Sequence, residues 1–108
     1  MLTEKKPLVE VANINTTITS NDTAERILNK INRELECTEE TVDVDFKGVL
    51  AMTTSCAKLI FGTLYVSNDP KVYFKRIRII NTTSDFRLII NYGIQSALSD
   101  QEDDQEDV

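Results

Sequence analysis

The sequence has no histidine, no tryptophan, three glycines and two cysteines. Without histidine, both the usual general base near neutral pH and the commonest metal ligand are missing. Cys37 and Cys56 stand far outside a CxxC spacing, so they form neither a zinc set nor a recognisable activated nucleophile. They read as reduced residues of the core or its boundary. Gly48, Gly62 and Gly93 are too scattered to make a phosphate-cradling loop. These absences exclude most enzyme classes, and the expectation is a protein with no catalytic residue, no metal and no cofactor. No apolar run approaches the ~20 residues of a membrane span, and Met1–Pro7 lacks the apolar core of a signal peptide. A cytoplasmic protein that does not engage membranes is therefore expected.

What is present describes one small domain. The 108 residues are 41% hydrophobic and 28% charged, ordinary globular composition with room for one core. The net charge of −6 is unevenly placed. Six of the 18 acids lie in residues 100–108, which contain no base, leaving 12 acids against 12 bases in the rest of the chain. The sequence divides into a flexible N-terminus over 1–6, a folded domain over 7–99 and a disordered acidic tail over 100–108. Within the domain, acids crowd residues 34–45 and bases crowd 71–87. Lys71, Lys75, Arg76, Arg78 and Arg87 are too few for a nucleic-acid footprint and read as a solvated strand face, so no nucleic-acid partner is expected.

Alternating apolar residues predict a strand within 7–18. Asp22 and Glu25 have capping-box spacing, and Ala24, Ile27, Leu28, Ile31 and Leu35 mark one face of a helix ending near Glu36. Val42, Val44 and Phe46 alternate as a second strand. A second, largely buried helix begins at Thr53-Thr54-Ser55 and runs through Tyr65. Residues 66–71 read as a turn and 72–80 as a third strand. Phe86, Ile89, Ile90, Gly93, Ile94 and Ala97 fit a last helix, although the β-rich run over 87–93 also fits a strand paired with 75–80. The predicted fold is α/β: three to four mainly parallel strands with covering helices in β-α-β-α-β-α order.

One segment carries a functional signature. Asp45 ends a strand; Phe46-Lys47-Gly48-Val49-Leu50-Ala51-Met52 leads on to hydroxyls at a helix start, Thr53-Thr54-Ser55, followed by Cys56. This arrangement resembles STAS domains, the fold of bacterial anti-sigma-factor antagonists and of the cytoplasmic domains of sulfate transporters. In that pattern a strand ends in Asp-Leu-Ser and an apolar residue precedes Asp-Ser-Ser-Gly. Asp45 matches the strand-end acid, Met52 the apolar residue, Thr53 the Asp, Thr54 and Ser55 the serines, and Cys56 the glycine. Thr53 lacks the carboxylate and Cys56 is not glycine, so the chain looks closest to the divergent STAS-like family DUF4325. The likeness covers about residues 16–98 and includes Thr19-Ser20-Asn21-Asp22 and Arg26 upstream.

The resemblance implies a regulatory protein-interaction domain whose partner is an ATPase or kinase of the histidine-kinase-like fold. It makes Ser55, the counterpart of the antagonists' phosphorylated serine, the phosphoacceptor, with Thr54, Thr53 and Asp45 around it at the partner interface. Helix N-termini stabilise phosphate. The plainer reading of the same triplet is helix capping. A scaffold subunit whose oligomer interface is its whole function and a nucleotide-binding module are the alternatives.

Overall fold

A computed structural model describes residues 7–106, with side chains to residue 101. The expected flexible segment over 1–6 lies outside the described residues. The elements are β1 (Leu8–Glu10), α1 (Val11–Ile14), β2 (Thr17–Ile18), α2 (Asn21–Cys37), β3 (Val42–Asp45) and β4 (Ala51–Met52). They continue with α3 (Thr54–Ala57), a π turn (Lys58–Gly62), α4 (Thr63–Ser67), α5 (Pro70–Arg76), β5 (Ile77–Ile80) and α6 (Ser84–Glu106). Every strand pairing is parallel: β1-β3-β5 form one sheet, with β3 central, and β2-β4 form a second. The small α/β fold with parallel strands and covering helices is as the sequence indicates.

The second sheet continues the β1–β3 pair of the first, both strands being interrupted side by side. The expected strand over 7–18 breaks at Val11, where one helical turn intervenes before β2. Opposite it, β3 breaks at Phe46. There the Lys47 N–H donates to Asp45 Oδ1 at 2.9 Å, Gly48 takes φ +89°, and Val49 N–H donates to the Phe46 carbonyl at 3.0 Å. Gly48 is required because this φ strains any side-chain-bearing residue. The strands resume when Leu50 N–H donates to the Thr16 carbonyl at 2.7 Å. Period-two spacing of Val9 and Val11 cannot distinguish a continuous strand from one that turns into a helix at its inward-facing residue.

Val9, Val42, Val44 and Ile77 pack beneath α2 with Ile27 and Ile31, all buried in one cluster with Ile60, Phe61 and Leu64. Burying each such side chain stabilises the fold by roughly 1.5–3 kcal/mol. The outer face of the β1-β3-β5 sheet carries Leu8, Asp43 and Arg78 in register. Arg78 donates Nε and Nη2 to the two Asp43 oxygens, each at 3.0 Å, and this pairing raises the guanidinium pKa further.

Three expectations change, and one left open is settled. Ser20, not Asp22, caps α2, its hydroxyl accepting from Thr23 N–H at 3.2 Å; the cap goes to whichever side chain reaches a first-turn N–H. Residues 70–76 are helix α5 and only 77–80 are strand, because Asp69 caps the segment and Pro70 sits at the first helical position. Arg76 does not lie on a solvated strand face: its guanidinium donates to the carbonyls of Leu35, Thr38 and Glu40. Residues 86–94, open between helix and strand, lie in α6. That helix carries on into the acidic run as far as Glu106, and Asp107 and Val108 lie outside the described residues.

Candidate functional site

The carboxyl ends of β2 and β4 lie side by side, and a helix springs from each. Thr53 N–H donates to the Ile18 carbonyl at 3.1 Å, which sets Thr53 beside the strand end that leads to Ser20. Thr53 then caps α3, its hydroxyl accepting from Cys56 N–H at 3.1 Å. Ser20 does the same for α2. The buried Cys56 thiol joins the two caps, lying 3.5 Å from the Ser20 carbonyl as its donor. A glycine at position 56 would forfeit that link, which gives a local reason for the departure from the STAS pattern.

The three hydroxyls of the triplet do different work. Thr53 is the cap, while Thr54 and Ser55 occupy the first two helical positions with exposed side chains. Lys58 lies three residues beyond Ser55 and is ion-paired with Asp100 of α6. Ser55, Lys58, Thr63, Ala97 and Asp100 line a shallow cavity of about 340 Å³. The sequence does not reveal this pairing, since residues 58 and 100 meet only because α6 crosses the π turn.

That crossing is unusually close. A Cβ built on Gly93 would meet Lys58 N at 2.6 Å, and one on Gly62 would meet the Gly93 carbonyl at 3.0 Å. The two glycines let α6 lie directly against the helix that carries the triplet, fixing Asp100 beside Lys58.

Asp45 is placed apart in its bonding. One carboxylate oxygen accepts from Lys47 N–H and from Asn81 Nδ2, each at 2.9 Å. It therefore pins the β3 turn to the β5–α6 loop, where Asn81 has φ 55°. Its hydrogen bonds hold the loops and do not reach the triplet. Among the described residues, no group of three His, Cys, Asp or Glu side chains is placed to hold a metal, and no helix is long and apolar enough to cross a membrane.

Compared with known families, the chain matches the model for the STAS-like domain of unknown function (DUF4325) over residues 23–86. That span contains Asp45, the triplet and Lys58. No curated protein and no solved structure matches the chain.

Proposed function

The chain belongs to the STAS-like family DUF4325, and from that premise we propose that it is a non-enzymatic regulatory domain whose binding to a partner protein is switched by phosphorylation of Ser55. The observation that carries the reading is the division of labour in the triplet. Thr53 satisfies the cap, so Ser55 is exposed in the first turn with no capping duty. A phosphate there would meet the positive end of the helix and find Lys58 one turn on. It would compete with Asp100 for that ammonium, so modification would change both the charge of the surface and the docking of the end of α6.

The partner in this reading is an ATPase or kinase of the histidine-kinase-like fold, meeting the surface formed by Thr53, Thr54 and Ser55, with Asp45 holding the neighbouring loops. A dianion introduced into that contact repels an apolar or acidic partner surface. The test is to incubate the full chain with such a kinase and ATP and to map the modified residue by mass spectrometry. Phosphate on Ser55 supports the proposal; an unmodified chain in its complex with an active kinase overturns it.

A further inference from the structure

The sheet order β1-β3-β5 leaves β5 at an edge, with no strand on its outer side among the described residues. The Ile80 carbonyl accepts from Phe46 N–H at 3.0 Å on the β3 side. Backbone groups alternate along a strand, so the N–H and C=O of Ile79 point the other way, to the open edge. A cavity lies on each side of that edge. One, of about 430 Å³, is lined by Tyr65, Tyr73, Ile79, Ile90 and Ile94 and rimmed by Arg87. The other, of about 400 Å³, is lined by Glu40, Thr41, Asp43 and Lys75. Both also include Phe74, Ile77 and Arg78, as two hollows do when they flank a single strand edge.

Phe74 forms the wall between them. It is 69% exposed, yet it is held edge-on by Tyr73, with ring centroids 5.2 Å apart, and by Tyr65 at 5.9 Å. An exposed aromatic braced by two others presents a rigid apolar surface at little entropic cost.

We infer that the β5 edge receives an extended segment of a different polypeptide, which adds as a fourth strand and sends alternate side chains into the two cavities. Main-chain bonds to an edge supply affinity and alternating pockets supply specificity. The larger cavity, with its isoleucines and tyrosines, takes apolar side chains. Its charged lining is Arg78 and Arg87 with no carboxylate, so the segment carries acidic residues that meet Arg87. In the smaller cavity Lys75 and Arg78 face Glu40 and Asp43, the last already paired with Arg78. A second copy of this chain is a poor occupant, since β5 beside β5 sets Lys75, Arg78 and Arg87 of the two copies against each other. This edge is a surface separate from the triplet, so the inference does not depend on Ser55.

The test is selection of random peptides displayed on phage against the full chain. Enriched peptides should alternate apolar with acidic residues, lack internal proline, and slow hydrogen exchange at the Ile79 amide at least about tenfold. Phe74→Ala and Arg87→Glu alter exposed side chains and should each weaken binding about tenfold or more, as should N-methylation of the peptide backbone. No enrichment, or enriched peptides whose binding ignores both substitutions, overturns the inference. Protection of Ile79 that grows with protein concentration in the absence of peptide overturns the choice of occupant, because the edge then pairs with itself.

Discussion

Gly93 of α6 stands against the backbone of Lys58 so closely that an added Cβ would lie 2.6 Å from the Lys58 nitrogen and 2.7 Å from the Ala57 carbonyl carbon. No side-chain rotation relieves a clash with main-chain atoms; one helix must move. Gly93→Ala should therefore destabilise the fold by about 1–3 kcal/mol despite improving helix propensity. Urea unfolding should show a lower midpoint, and an unchanged or higher midpoint would mean that the helices are not in contact.

The Thr53 cap can be tested apart from any partner. Thr53→Ala removes the acceptor for Cys56 N–H and should cost about 1 kcal/mol. Thr53→Asp, which restores the acid of the STAS pattern, should retain wild-type stability, because Asp caps as well and suits the helix dipole. Thermal melts of the two variants distinguish capping from simple loss of side-chain bulk.

Arg76 closes the carboxyl end of α2. Its bonds to the Leu35, Thr38 and Glu40 carbonyls are geometrically specific to a planar fork. Arg76→Gln should destabilise by about 2 kcal/mol, and Arg76→Lys should recover only part of it. Hydrogen exchange at the last turn of α2 should rise in both.

How much of this was legible in the sequence can be judged element by element. The three- and four-residue steps of Ala24, Ile27, Ile31 and Leu35 lie where α2 is found, and the alternation of Val42 and Val44 where β3 is. Pro70 after Asp69 was a helix-start signal, but the β-rich Val72-Tyr73-Phe74 that follows argues for a strand, and local propensity loses to capping there. Within Thr19–Asp22 several side chains can cap, and only the backbone geometry selects Ser20. The triplet was legible as a helix start. Its setting was not, because the Cys56–Ser20 link, the Lys58–Asp100 pair and the Gly62–Gly93 crossing join residues 31 or more positions apart.

Tyr73 gives a pH prediction. Burial, reinforced by the neighbouring Tyr65, pushes its pKa up from 10.0 to about 12. Below pH 10 the phenol is neutral in both folded and unfolded chains, so the full stability is present. As pH rises from 10 through about 12, the unfolded chain ionises first and stability falls. The loss should approach about 2–3 kcal/mol. Tyr73→Phe should flatten this alkaline limb in urea titrations, and an unaltered slope would show that Tyr73 does not cause it.

The central claim is that charge at Ser55 breaks a protein complex. Its most direct test is calorimetric titration of wild type, Ser55→Ala and Ser55→Asp against a histidine-kinase-like ATPase that binds the unmodified chain. The proposal predicts that wild type and Ser55→Ala bind alike and that Ser55→Asp binds at least about tenfold more weakly, a loss of about 1.4 kcal/mol. Equal binding by Ser55→Asp and Ser55→Ala would contradict it.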